Sequence, residues 1–77
     1  PNAYPLESIM NKYNLTPAEL LVVDDMKPAW EMARKVGAPI AFAAWSKNDM
    51  PEISQEMTKL CDFTFSSPKE LLKFLFD

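Results

Sequence analysis

The hydrophobic positions of this chain switch between helical and strand period six times, dividing it into seven elements. Leu6, Ile9, Met10 and Tyr13 fall at i, i+3, i+4 and i+7, which is one face of a helix. That spacing predicts a helix over about Pro5–Tyr13 after an extended lead-in from Pro1 to Tyr4. Thr16-Pro17-Ala18-Glu19 has the form of a capping box with proline at the first helical position. The apolar run that follows at once leaves room for a single turn. Leu20–Val23 is apolar without alternation and runs into Asp24 and Asp25. Such a run suits a strand, Leu20–Asp24, buried on both faces of a parallel sheet.

The second half of the chain repeats the alternation. After a short Met26-Lys27 loop, a helix is expected from Pro28, with Ala29, Trp30, Ala33 and Val36 as its buried stripe. Gly37, the chain's one glycine, is the expected left-handed stop, and Pro39 blocks continuation. Ile40–Trp45 (IAFAAW) reads as a second buried strand, and Ser46–Asp49 as a polar loop at its carboxyl end. Met50, Ile53, Met57 and Leu60 predict a third helix over Pro51–Cys61. Asp62–Phe65 alternates polar and apolar, as a strand near a sheet edge does. Ser67-Pro68-Lys69-Glu70 is a second capping-box form. The last helix carries Leu71, Leu72 and Leu75 on a face widened by Phe74 and Phe76, enough to dock on more than one neighbour. The expected order is α-β-α-β-α-β-α, an α/β fold with a three-layer, Rossmann-like parallel sheet and right-handed crossovers.

Composition narrows the classes. The 77 residues allow one domain at most, and 48% of them are hydrophobic. A chain of this size buries only about 60% of its unfolded surface, so this hydrophobic content suits part of a larger core. Together with the absence of Met at position 1, this leads us to expect residues 1–77 to be a single partial domain. A net charge of −3 carries no basic footprint for nucleic acid. The chain has no histidine, so a His-based triad or His-rich metal site is excluded within it. A single cysteine, Cys61, permits no internal disulfide and suits a reducing compartment. No apolar run is long enough for a membrane span, and no signal-peptide pattern is present. The expected setting is soluble and cytoplasmic.

The candidate chemistry is the Asp24–Asp25 pair. Ligands of open α/β sheets bind at the carboxyl ends of the strands. Two adjacent carboxylates repel, and a cation relieves them. A short loop with oxygen ligands suits Mg²⁺, which takes one or two carboxylates together with waters and phosphate oxygens. Side chains alternate across a strand, so the two acids divide the work: Asp25 as the direct ligand, Asp24 acting through water or orienting the loop. Lys27 could lend positive charge to a phosphate, and Ser46 could touch a ligand. The plainer readings stay open beside these. Asp is common in loops and at helix starts, Lys27 could be a solvated side chain, Ser46 a turn residue, and Trp30 and Trp45 core.

These residues resemble the haloacid-dehalogenase (HAD) superfamily of phosphatases over most of the chain. LTPAELLVVDDMKPAWEMARKVGAPIAFAAW is similar to the family's fourth-motif region, and CDFTFSSPKELLKFL to its closing strand and helix. PNAYPLESIM resembles the stretch that follows the third-motif lysine. The resemblance implies the carboxyl-terminal half of a HAD-like core, Mg²⁺ as cofactor and a small phosphate monoester as substrate. It also implies hydrolysis through an aspartyl-phosphate. Only the fourth motif is present, with its acids on Asp24 and Asp25. A further acid that some members carry four residues later falls on Ala29. The nucleophile would lie outside this chain, so the chain alone is expected to be inactive. In this family the nucleophile strand lies beside the fourth-motif strand. Leu20–Val23 is thus expected to be an apolar edge, covered by a missing amino-terminal half or by another chain.

Two readings from other classes stand beside this one. LLVVDD is also similar to the opening of a two-component receiver domain, but the two later strands end in Trp45 and Phe65, not in a phosphoacceptor Asp. A non-catalytic binding or scaffold domain is the other.

Overall fold

The computed structural model describes residues 2–77. Its elements are α1 (Tyr4–Tyr13), a 3₁₀ turn (Pro17–Glu19), β1 (Val22–Asp24), α2 (Lys27–Val36) and β2 (Ile40–Ala43). A second 3₁₀ turn (Ala44–Lys47), α3 (Pro51–Leu60), β3 (Phe63–Phe65) and α4 (Pro68–Phe76) complete the chain. The expected alternation of four helices and three strands is present, and the mixed α/β class with a parallel sheet is as read from the sequence. Sheet order is β1-β2-β3. Val22 lies opposite Ile40, and Ala41 opposite Phe63.

The register assigns the layers. Strand neighbours in register share a face, so Val22 and Ile40 lie on one face and Val23, Ala41 and Phe63 on the other. Leu6, Ala29, Ala33 and Ile40 form the main core cluster, with Val22, Trp30 and Val36 packed against it. This brings α1 and α2 onto the first face. The Trp30 indole N–H donates to the Leu60 carbonyl at 3.1 Å, tying α3 beside α2. The Phe74 ring meets Phe63 and Phe65 at centroid distances of 4.9 and 5.2 Å, so α4 covers the second face. Both β-α-β crossovers thus pass over one side of the sheet, as a single handedness requires.

Several expectations are corrected at the element ends. The lead-in is shorter than expected: Tyr4 is already helical, its N–H donating to Asn2 Oδ1 at 2.8 Å; Pro1 lies outside the described residues. Leu20 and Leu21 precede β1 and do not pair in it. Nor is β1 buried on both faces, for Val23 is 37% exposed. It is an edge strand, and no strand among the described residues pairs with its far side. The second strand stops at Ala43 and not at Trp45. Its neighbours pair only with Ile40–Ala43; past that point no ladder holds the chain extended, and Ala44–Lys47 winds into a 3₁₀ turn. That turn replaces the first part of the expected Ser46–Asp49 loop. Asp62 stands outside β3, where its carboxylate accepts the Ile40 N–H at 2.9 Å.

The helix faces are buried less than their spacing suggests. On α1 only Leu6 is buried, while Ile9 and Tyr13 are exposed. On α3, Met57 is buried while Ile53, and Met50 just ahead of the helix, are exposed. On α4 no residue is buried, and Phe76 is 79% exposed. Among the described residues no helix is long and apolar enough to cross a membrane.

Candidate functional site

The carboxyl end of β1 carries Asp24 and Asp25, and their side chains do different things. Asp24 Oδ1 accepts the backbone N–H groups of Asp25 at 2.7 Å and of Met26 at 3.1 Å. A carboxylate that accepts N–H groups one and two residues ahead makes the tight local turn for which Asp is suited. It sets the angle at which the chain leaves the strand and starts α2, where Pro28 in the first turn forfeits no helical hydrogen bond.

Asp25 faces the end of the neighbouring strand. Its Oδ2 accepts the Ser46 hydroxyl at 2.8 Å and lies 3.6 Å from Lys47 Nζ. Ser46 Oγ also lies 3.0 Å from the Ala43 carbonyl, the last acceptor of β2. The 3₁₀ turn after β2 thus delivers a hydroxyl and an ammonium to one carboxylate oxygen. The Ser46 hydrogen bond, with Lys47 adding its charge, holds the Asp25 carboxyl below the usual range against an opposing effect of burial.

Lys27 is engaged elsewhere: its Nζ pairs with Glu56 Oε1 at 3.0 Å, bridging α2 to α3. Between this bridge and Asp25–Lys47 lies a cleft of about 290 Å³ floored by Met26, Pro28, Ile53 and Met57. Of the four residues singled out from the sequence, the fold gathers Asp24, Asp25 and Ser46. Lys27 borders the same cleft with its charge turned to Glu56. Trp30 packs in the core, with the Arg34 guanidinium 5.5 Å from its ring centroid.

Lys47 is the site residue that the sequence reading missed. The available signal was positional: Ser46-Lys47 is the first polar pair after the second apolar run, and in a parallel sheet adjacent strands end side by side. Glu56 had no signal beyond its place on a helix.

The donor set can be weighed against Mg²⁺. Carboxylate oxygens are the right kind of ligand, and one or two suffice when waters and phosphate supply the remainder. Among the described residues, however, no group of three or more His, Cys, Asp or Glu side chains could hold a metal ion. The two acids fit a partial site, in which Lys47 already supplies positive charge. The chain matches no protein-family model, no curated protein and no solved structure.

Proposed function

We propose that this chain is the carboxyl-terminal half of the core of a HAD-like, Mg²⁺-dependent phosphohydrolase whose nucleophile lies outside it. The observation that carries the reading is the position of the acid pair. It ends a parallel strand whose other edge is open, on the side where this family sets its nucleophile strand. The substrate class is a small phosphate monoester, and the setting is cytoplasmic, in keeping with the lone Cys61.

In this reading Asp25 holds Mg²⁺ and Asp24 supports it by fixing the loop. When bound, the metal offsets phosphate charge during transfer. The chain's own residues prepare that place. Asp24 orients the backbone of Asp25 and Met26. Ser46 holds the Asp25 carboxylate in one orientation, and Asp25 stays ionised at neutral pH. The Leu20–Val23 edge is completed by the missing half of the core or by another chain. A second reading, a non-catalytic binding or scaffold domain, draws on the Lys47–Asp25 pair, which balances the carboxylate without a metal.

The test is hydrolysis of p-nitrophenyl phosphate by the intact protein purified from its source, with and without Mg²⁺. Metal-dependent turnover that falls roughly 100-fold or more in Asp25→Asn, with the fold retained, is expected. Turnover indifferent to both would leave the scaffold reading.

A further inference from the structure

We propose that the cleft between the starts of α2 and α3 binds a small apolar carboxylate, with one aromatic ring or a short branched chain as its body and Lys47 as the group that takes its carboxylate. Such a site needs neither a metal nor turnover, so it stands apart from the phosphohydrolase reading.

Lys47 is not an ordinary surface lysine. Its side chain is 19% exposed, against 51% for Lys27. Among the described residues its ammonium donates no hydrogen bond. The Asp25 oxygen lies at 3.6 Å, near enough to attract it and too far to accept from it. An ammonium carries three donors, and sheltering it from water is costly unless they are met. The other charged groups around the cleft are already engaged. Glu56 meets Lys27 at 3.0 Å, and Asp25 Oδ2 accepts the Ser46 hydroxyl at 2.8 Å. The group with donors to spare is therefore a cation, and the ligand end that suits it is an anion. A carboxylate would take charge-assisted bonds, about twice as strong as neutral ones.

The cavity supplies the rest of the ligand's character. Lys47 borders two hollows, but its Nζ lies beside Asp25, which lines the cleft of about 290 Å³ and not the polar groove on the other side. The ammonium end thus belongs to the cleft. Met57 is buried at the base, while Met26 and Ile53 keep 55% and 44% of their surface in water. A ring or branched chain laid on these groups and Pro28 would remove apolar surface from water on both partners. Methionine side chains adapt to such a body and make favourable sulfur–aromatic contacts. The volume sets the size, since drug-sized ligands take about 300–1,000 Å³. The place is also apt: the cleft lies at the carboxyl ends of parallel strands, where open α/β sheets bind ligands.

The experiment is a titration of the intact protein, ¹³C-labelled at its methionine methyl groups, with phenylacetate, phenylacetamide and phenethylamine, probes of similar size and different charge. The Met26 and Met57 methyl signals, assigned through Met26→Leu and Met57→Leu, should shift saturably with phenylacetate. Phenylacetate should bind roughly fivefold tighter than phenylacetamide, the gain of a charge-assisted bond over a neutral one. Lys47→Gln should remove that preference and leave binding of the amide unchanged, and Lys47→Arg should keep it. Lys47→Met repeats the test if the methyl spectrum shows Lys47→Gln to be unfolded. Ile53→Ser should weaken both probes. No saturable shift with any probe, equal binding of phenylacetate and phenylacetamide, or a preference for phenethylamine would each overturn the site. A preference that survives Lys47→Gln and disappears in Lys27→Gln would overturn the role of Lys47. A protein that hydrolyses no phosphate ester yet binds phenylacetate in this way would lose the phosphohydrolase reading and keep this one.

Discussion

The first two strands look alike in sequence and differ in the fold. Leu20–Val23 and Ile40–Ala43 are both unbroken apolar runs. All four residues of β2 are buried, and Phe42 is fully enclosed. In β1 no residue is fully buried, and Val23 is open to solvent. The difference lies in position: β2 has a hydrogen-bonded neighbour on each side and β1 on one. An apolar run thus shows only that a strand can be buried, and the number of its paired neighbours decides how far it is. The exposed α4 face, with Leu72, Leu75 and Phe76, follows the same rule at the other end of the sheet.

The sharpest way to test that comparison is truncation in each strand. Phe42→Ala should lose about 3–5 kcal/mol, enough to unfold a domain of this size, as read by loss of helical circular dichroism. Val23→Ala in the same position-by-position comparison should lose less than about 1 kcal/mol, since little area leaves the core. Equal losses would mean that β1 is covered after all, and repeating the measurement over a range of protein concentrations would reveal a covering partner.

A smaller effect separates the two aspartates. Asp24→Ala strands the Asp25 and Met26 N–H groups and should destabilise by about 1–2 kcal/mol in urea titration. Asp25→Asn keeps shape and leaves the Ser46 hydroxyl an acceptor, so its stability should change by less than about 1 kcal/mol. A reversal of that order would show that Asp25, and not Asp24, organises the loop.

The pH dependences are the mildest. The folded state lowers the Asp25 carboxyl below its ordinary value, chiefly through the Ser46 hydrogen bond. Its contribution is therefore complete above the unfolded value and is lost as pH falls through the folded one. Asp25→Asn should flatten the acid limb of a pH–stability curve. Burial, with Asp62 nearby, pushes the Cys61 thiol up. That contribution is complete below the unfolded thiol value and is lost as pH rises through the folded one. Cys61→Ala should flatten the alkaline limb, and iodoacetamide should label Cys61 more slowly in the folded protein than in urea.

Some details were legible because they are local. The Gly37 stop has φ +76° with its N–H on Arg34 and the Ala38 N–H on Ala33, as the Gly–Ala–Pro punctuation predicts. Ser67 caps α4 by accepting the Glu70 N–H at 3.1 Å. Glu70 itself accepts the Ser66 N–H and not that of Ser67, so only half of the expected box forms. Asn14, left-handed at φ 54° after α1, is a stop that the sequence reading passed over, although Asn is the usual substitute for glycine there.

The sequence by itself determined the alternation of elements, the α/β class and the place of Asp24 and Asp25 at a strand's carboxyl end. Those follow from periodicity, caps and breakers, which act within a few residues. Only the tertiary structure decided that β1 is an edge and that the second strand ends at Ala43. It also decided that Lys27 turns to Glu56 while Lys47 turns to Asp25. Each of these depends on which strands pair and where the ladder runs out. The groups concerned lie some twenty to thirty residues apart in the chain, beyond the reach of any local pattern.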